Sequence, residues 1–265
     1  MTTYTNRLDS DRIRQWANLI AILAAFGINI YSNLFPPNGR TIGEISNILF
    51  KNVLIIPANY AFAIWGLIYL GLISFAIYQF LPAQRQDPYL RRSGYFLVMA
   101  SLAQIVWVFV FEYELFARSL LAMLAILLPL IGIYLELGIA KRRVSRNQKW
   151  LVQVPLSIYL GWISVATIVN VAIALYSLGW KGGLISPQIW TVIVMVVAGA
   201  IAATIKVTRD DFAFPLVIVW ALVAIAVRQA NQLAIALTAV ILALALGLLV
   251  LVGVLKRSSI RTNND

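Results

Sequence analysis

Residues 232–255 read QLAIALTAVILALALGLLVLVGVL and contain no charged side chain. An α-helix needs about 20 mostly apolar residues to cross the hydrocarbon core of a bilayer, so this stretch predicts a membrane-spanning helix. The rest of the chain has the same character, because 62% of its 265 residues are hydrophobic and only 12% are charged. Soluble domains contain about 45–50% apolar and about 25% charged residues. The composition therefore predicts an integral membrane protein in contact with the lipid bilayer.

The same criterion, applied along the whole chain, predicts an all-α polytopic protein with eight transmembrane helices. The predicted spans are residues 16–35, 58–81, 95–111, 119–140, 150–176, 187–207, 212–227 and 232–255. No small-residue cleavage site follows the first span, so we expect it to be retained rather than removed as a signal peptide. The sequence thus predicts a chain that crosses the membrane an even number of times.

The distribution of the 21 Lys and Arg residues predicts the orientation of these spans. If the spans alternate in direction, 16 basic residues fall on the side of the two termini and five on the other side. Cytoplasmic loops are enriched in Lys and Arg, so both termini are predicted to be cytoplasmic, in a bacterial inner membrane. The net charge of +11 is attributed to these loops, and no nucleic-acid partner is expected.

The chain contains neither histidine nor cysteine. Imidazole and thiolate ligands are therefore absent, and no metal site is predicted. No pair of nucleophile and base is recognisable, so we do not expect an enzyme. Ionisable residues are almost absent from the predicted spans, which disfavours a proton-driven or cation-driven pump. Glu112 and Glu114, at the end of the third span, are expected to lie in water.

Aromatic, amide and hydroxyl side chains are the chemically distinctive groups within the spans. The tryptophans inside spans are Trp65, Trp107, Trp162 and Trp220. A buried indole N–H needs a hydrogen-bond acceptor. Neighbouring spans offer Gln104, Ser164, Thr167 and Asn170. An aromatic cavity with a few convergent amides suits a flat hydrophobic ligand, whereas ordinary helix packing explains the same residues without a ligand.

Motifs in the second and third spans resemble the TspO family, the translocator proteins or tryptophan-rich sensory proteins. Pro57, Trp65 and Tyr69 match the family signature Pro-x7-Trp-x3-Tyr. In the third span, Gln104-x2-Trp107 falls where the family has Asn-x2-Trp. The likeness in the second span is greatest to the longer bacterial members.

A third motif lies in the fifth span, where Trp162, Ala166, Thr167 and Asn170 match Trp-x3-Ala-Thr-x2-Asn. Phe111 falls in the aromatic run that follows the family's span-three motif. The resemblance covers roughly residues 12–178, which are the first five spans. Positions that depart from the family pattern are Asn59, Val108, Phe109, Met123 and Ile158.

The resemblance implies a five-helix bundle that binds tetrapyrroles or sterols in a pocket closed by the first loop. We accordingly expect a TspO-like bundle over residues 1–181 and three additional helices with a cytoplasmic tail over residues 182–265. The ligand-binding residues implied are Tyr60, Trp65, Tyr69, Gln104, Trp107, Phe111, Trp162, Thr167 and Asn170. Their aromatic rings would stack on the ligand, and Gln104, Thr167 and Asn170 would bind its polar rim. A metal-free porphyrin suits a chain without His or Cys better than haem does.

The leading hypothesis is therefore a membrane protein that binds a hydrophobic small molecule and has a sensory, regulatory or transport role. Two alternatives stay open: a transporter or channel for a small apolar solute, and a structural membrane subunit without a ligand. Small residues in the sixth and eighth spans, such as Gly199 and Gly247, would suit close helix contacts, and a homodimer is also left open. In the first loop, Thr41 and Glu44 have the spacing of a capping box, which predicts a short helix there.

Overall fold

The computed structural model describes residues 2–180 and 182–262, and within these residues all regular elements are helices. Eight long helices follow one another: α1 (Thr2–Leu34), α2 (Ile64–Tyr78), α3 (Phe96–Glu112), α4 (Phe116–Glu136), α5 (Val154–Ser177), α6 (Pro187–Arg209), α7 (Ala213–Arg228) and α8 (Leu233–Thr262). The loop between α1 and α2 contains a short helix, Ile42–Ile48, hereafter the cap helix. A 3₁₀ segment, Asn59–Ala63, leads into α2, and a π-helical turn, Lys149–Gln153, leads into α5. The all-α prediction is confirmed for the described residues.

A helix occurs at each of the eight predicted positions, but the helices differ in length. Within the part of the chain that the structure describes, six helical stretches are long and apolar enough to cross a membrane: Ser10–Leu34, Asn59–Phe80, Phe116–Glu136, Arg146–Ser177, Pro187–Arg209 and Leu233–Lys256. Helices α3 and α7 are apolar but have only 17 and 16 residues. At 1.5 Å per residue they are about 25 Å long, whereas the hydrocarbon core is about 30 Å thick. The chain is an integral membrane protein, and its eight complete crossings stay a prediction.

The first five helices form a closed ring of neighbours. Helix α1 packs against α2 and α3, α2 packs against α5, and α4 packs between α3 and α5. The approach of α2 to α5 depends on Gly71, because a Cβ added there would lie 2.8 Å from the Cβ of Pro155. The side chains that face the centre of this ring are thus supplied by several helices.

The last three helices form a triangle in which α6, α7 and α8 all pack against one another. Helix α7 also packs against α5, and a Cβ added to Gly161 of α5 would lie only 3.0 Å from the Cβ of Val217. Gly199 of α6 approaches α8 closely, whereas a Cβ added to Gly247 of α8 would meet nothing within 4 Å. Of the two small residues proposed for helix contacts, only Gly199 therefore lies at a tight one.

Side-chain hydrogen bonds tie α7 to the ring at both of its ends. At its beginning, buried Asp211 accepts hydrogen bonds from Tyr134 Oη of α4 at 2.8 Å and from Ser157 Oγ of α5 at 2.5 Å. At its other end, Arg228 Nη1 donates to Asn47 Oδ1 of the cap helix at 2.6 Å. Helix α7 is thus the element through which the triangle is joined to the ring.

Glu112, the last residue of α3, does not lie in water as the sequence had suggested. Its exposed fraction is 0%, the Ser32 hydroxyl of α1 lies beside its carboxylate, and neither carboxylate oxygen makes a hydrogen bond of good geometry in the described structure. Glu114 does reach the surface, where its Oε1 lies 3.7 Å from Arg40 Nη1. The expectation was wrong for Glu112 because α3 ends beneath the first loop and not beyond the bundle.

Candidate ligand site

A cavity of about 50 Å³ lies inside the ring, bounded by α2, α3, α4 and α5 and by the first loop. Six of the nine residues predicted to bind a ligand line it: Trp65, Gln104, Trp107, Phe111, Trp162 and Asn170. Ala166 lies between Trp162 and Asn170 on α5 and also lines the cavity. Because these residues come from three helices, the ring brings together side chains that are up to 105 positions apart.

The other three predicted residues lie elsewhere. Tyr60 packs edge-to-face on Trp220 of α7, with 5.3 Å between ring centroids. It belongs to the 3₁₀ segment, which has about 3.0 residues per turn, so it does not follow the α-helical face of Trp65. Tyr69 lies behind the cavity wall and accepts a hydrogen bond from Gln104. Thr167 donates to a backbone carbonyl of its own helix and lines a different cavity.

Gln104 is the centre of a buried hydrogen-bond network that joins three helices. Its Nε2 donates to Tyr69 Oη of α2, and its Oε1 accepts from Tyr159 Oη of α5 at 2.5 Å. All three side chains are at most 3% exposed. Both the nitrogen and the oxygen of this amide are therefore hydrogen-bonded, and these bonds hold α2, α3 and α5 together.

Asn170 of α5 also joins three helices, because its side-chain amide binds groups of α3 and α4. Its Oδ1 accepts from Trp107 Nε1 of α3 at 2.7 Å, and its Nδ2 donates to Ser119 Oγ of α4 at 2.9 Å. The resemblance had implied that Gln104 and Asn170 bind the rim of a ligand. In the structure both amides instead bind protein groups, because each faces a hydroxyl or indole from a neighbouring helix.

The unused polar groups of the cavity are indole N–H groups. The hydrogen bonds of the described residues include none from Nε1 of Trp65 or Trp162. Trp162 is only 2% exposed and Trp65 is partly buried, but neither nitrogen is among the fully buried polar atoms without a partner. Trp65 stacks on Tyr69 at 5.6 Å, and Trp162 packs edge-to-face on Phe62 at 5.9 Å. Since buried indoles normally bind an acceptor, these two donors are available to a ligand. The sequence had predicted that these rings stack on a ligand and that their N–H groups bind amides or hydroxyls of neighbouring spans.

The cap helix closes one end of the cavity with Ile42 and Ser46. It begins with the predicted capping box, in which Thr41 N donates to Glu44 Oε2 at 2.8 Å and Glu44 N donates to Thr41 Oγ1 at 3.3 Å. The bonds from Thr41 lower the pKa of Glu44 below its usual value. The ionised carboxylate therefore stabilises the cap helix at neutral pH, and this contribution is lost as the pH falls through the lowered pKa. The prediction of a short helix in this loop is confirmed.

Comparison with known families supports the resemblance seen in the motifs. Residues 15–252 match the family described as TSPO-like protein. The chain belongs to the TSPO-like protein family. The match extends from α1 into α8, so it runs well past residue 178, where the resemblance seen in the motifs ended. No curated protein and no solved structure matches the chain.

In this TSPO-like chain, α7 holds the loop that covers the cavity. Trp220 Nε1 donates to the carbonyl of Ala61 at 3.0 Å, and Gln229 Nε2 donates to the carbonyl of Leu54 at 2.9 Å. Arg228 adds its bond to the cap helix. No local pattern predicts these contacts, because they join residues separated by more than 150 positions.

A second and larger cavity, hereafter the outer groove, lies between α5 and α6 at the same end of the TSPO-like bundle. Its volume is about 740 Å³. Its walls are largely apolar and include Ala172 and Tyr176 of α5 and Trp190 of α6. Trp180 and Trp190 pack against each other at its rim, with 5.6 Å between ring centroids. A ligand therefore has two places in which it could bind, and a test of function must distinguish them.

Proposed function

We propose that this TSPO-like membrane protein binds a flat, apolar small molecule, tetrapyrrole-like or sterol-like, in the cavity inside the ring. The observation that carries the proposal is the pair of unpaired indole donors, Trp65 and Trp162, in an otherwise aromatic and aliphatic cavity. The ligand's apolar body would pack on Trp107 and Phe111, and its carbonyl or carboxylate oxygens would accept from the two indoles. A metal-free porphyrin is the probe that best matches this chemistry.

The cavity must enlarge for such a ligand to enter. Its volume is about 50 Å³, whereas sites for small molecules occupy about 300–1,000 Å³. The helices of the ring are held together by Gln104 and Asn170, so the movable wall in this proposal is the cap helix, which supplies Ile42 and Ser46. Opening would break the hydrogen bond between Asn47 and Arg228.

This movement would connect ligand binding to the triangle of α6, α7 and α8. Arg228, Gln229 and Trp220 of the α7 segment all bind the first loop, so displacement of the loop changes the contacts of α7. We assign the protein a sensory or regulatory role on this basis. Residues 1–181 would carry the ligand, and residues 182–265 would respond to the position of the loop.

A titration with metal-free porphyrin tests the proposal in purified protein. The porphyrin absorption band reports binding, so the readout does not depend on the tryptophans that are changed. The variant Trp65→Phe/Trp162→Phe removes both donors and keeps aromatic surface, and Trp16→Phe/Trp150→Phe is its control at exposed sites that line neither the cavity nor the outer groove. We expect the first variant to bind at least tenfold more weakly, since each lost hydrogen bond contributes about 1 kcal/mol. Equal binding by both variants would contradict the proposal.

A structural membrane subunit without a ligand is the second candidate function. The small cavity volume and the complete pairing of Gln104 and Asn170 favour it, because both are what a packed helix bundle requires. Under this alternative, porphyrin does not bind at micromolar concentration and the tryptophan changes alter only thermal stability. The same titration therefore separates the two candidates.

We also propose a bacterial inner membrane with both termini in the cytoplasm, on the basis of the 16 basic residues on that side. Reporter fusions after Lys149 and after Gly183 should report opposite sides of the membrane. The same side for both fusions would show that α5, the one long helix between these positions, does not cross.

A further inference from the structure

A cleft of about 510 Å³ opens at the end of the bundle opposite to the cap helix. It lies between the loop that joins α4 to α5 and the loop that joins α6 to α7, so the ring and the triangle both contribute to it. Its basic residues are Lys141, Arg142, Arg143 and Lys149. We call this feature the basic cleft.

The charges of the basic cleft are not neutralised within the protein. Among the ion pairs of the described residues, none involves the four basic side chains that line it. Of the two carboxylates at the cleft, Asp210 pairs with Lys206, whereas Asp211 binds the uncharged hydroxyls of Tyr134 and Ser157, so four basic groups face one carboxylate without a cationic partner. The cleft therefore has four cationic groups available and an excess of positive charge.

The backbone around the basic cleft has an unusual conformation on both of its sides. Ala140 has φ 63° and Asp210 has φ 57°, in the left-handed region that residues with a side chain rarely adopt. Gly138 has φ 58°, and a Cβ added there would collide with the side chain of Arg142. The lack of a side chain at Gly138 thus lets Arg142 lie along the edge of the cleft.

The walls of the basic cleft combine this charge with apolar surface. Ile139, Val154 and Phe212 line it beside the basic residues. Trp150 is 52% exposed next to Phe212, with 5.9 Å between ring centroids, and exposed tryptophans are typical of the membrane interface. A molecule that fits must carry negative charge at one end and tolerate apolar walls at the other.

We propose that the basic cleft binds the phosphate group of an anionic membrane lipid. Guanidinium groups bind phosphate oxygens through two parallel hydrogen bonds, which Arg142 and Arg143 can supply, and ammonium groups add charge. Basic pockets at helix ends are suited to anionic lipid head groups. A soluble phosphate has the same anionic chemistry but makes no use of the apolar walls, and this favours the lipid. A bound lipid would join the ring to the triangle at the end where Asp211 already links them.

Thermal unfolding of the full chain in neutral detergent tests this proposal. Short-chain phosphatidylglycerol is added over a concentration series, with phosphatidylcholine and inorganic phosphate as separate arms. The variant Arg142→Gln/Arg143→Gln removes two charges from the cleft. The control Arg92→Gln/Arg146→Gln removes two charges from exposed positions at the same end that do not line it.

We expect phosphatidylglycerol to raise the unfolding temperature in a saturable way, and phosphatidylcholine to have no such effect. The cleft variant should need about thirtyfold more phosphatidylglycerol, since each basic side chain near an anionic lipid contributes about fivefold. The control should match the unchanged protein. Equal protection of both variants would overturn the proposal. If inorganic phosphate raises the unfolding temperature, phosphatidylglycerol does not, and the cleft variant loses the effect, the lipid proposal is overturned. The cleft would then bind a soluble phosphate.

If Arg142→Gln/Arg143→Gln does not fold, Lys141→Gln/Lys149→Gln removes the same charge from the other half of the cleft and should show the same loss. The porphyrin titration is independent of this result, because the two sites lie at opposite ends of the bundle.

Discussion

The ring of α1–α5 and the triangle of α6–α8 are both apolar, but they are held together differently. In the ring, buried amides, tyrosines and tryptophans bind one another across helices, as Gln104 and Asn170 show. In the triangle, the helices meet through aliphatic side chains and small residues such as Gly199. The long-range hydrogen bonds of the α7 segment are made with the ring and with the loop between α1 and α2. The difference indicates that specific polar contacts fix the interior of the ring, and that the triangle packs against the outside of the ring through α7.

The bond network of Asp211 is the strongest link between the two regions, and its removal should have the largest effect. Asp211→Ala leaves Tyr134 and Ser157 without their acceptor, so we expect a loss of about 3 kcal/mol in unfolding free energy. Thermal unfolding in detergent measures the effect. In the Asp211→Ala background, Tyr134→Phe should cost nothing further. A full additional cost for Tyr134→Phe would show that the two groups do not interact.

The packing of α5 against α7 should be nearly as sensitive. Gly161→Leu places a side chain where even a Cβ would lie 3.0 Å from Val217, and overpacking of this kind costs about 1–3 kcal/mol. Gly66→Leu is the control, because a Cβ at Gly66 meets nothing within 4 Å. The control should be as stable as the unchanged protein. Equal stability of Gly161→Leu would mean that the triangle does not pack on the ring at this contact.

Glu112 is one of the ring residues with buried polar atoms that lack a hydrogen-bond partner, together with Arg14, Gln15 and Asn18 of α1. Glu112→Gln replaces a buried carboxylate, which has only the Ser32 hydroxyl beside it, by a neutral amide, and we expect a gain of about 1 kcal/mol in stability. Glu114→Gln removes one partner of an exposed ion pair and should change stability by less than about 0.5 kcal/mol. Destabilisation by Glu112→Gln would indicate that the carboxylate binds a group essential to the fold.

The contact of Arg228 with the cap helix is the smallest link, and its effect should be kinetic. Arg228→Met removes the bond to Asn47, which contributes about 1 kcal/mol, so porphyrin should associate about fivefold faster by stopped-flow mixing. Arg118→Met, at an exposed position of the same end of the bundle, is the control. An unchanged association rate would mean that α7 does not hold the loop closed.

The parts of the fold that follow from regular helices could be predicted from the sequence. Trp162, Ala166 and Asn170 lie on the regular helix α5, where a spacing of four residues keeps side chains on one face, and all three line the cavity. The same spacing did not bring Tyr69 to the cavity beside Trp65. The capping box of Thr41 and Glu44 was found for the same reason, because its signal is local. Hydropathy located all eight helices without settling whether the two short ones cross the membrane.

The parts that could not be predicted depend on contacts between distant segments. Tyr60 faces α7 because a 3₁₀ segment replaces the expected α-helix. Gln104 is paired because Tyr159, which matched no motif, approaches it from α5. Asp211 and Arg228 looked like ordinary loop charges, although they anchor α7 at its two ends. Local patterns therefore identified the residues of the site, and their hydrogen-bond partners required the structure.

The central claim is that the ligand binds inside the ring and not in the outer groove. Two substitutions on the same helix test it most directly, because Ala166 lines the inner cavity and Ala172 lines the outer groove. Ala166→Met fills the inner cavity without removing a hydrogen bond, and Ala172→Met does the same in the groove. Titration with metal-free porphyrin should show at least tenfold weaker binding for Ala166→Met and unchanged binding for Ala172→Met. Unchanged binding by Ala166→Met, with the loss confined to Ala172→Met, would contradict the account.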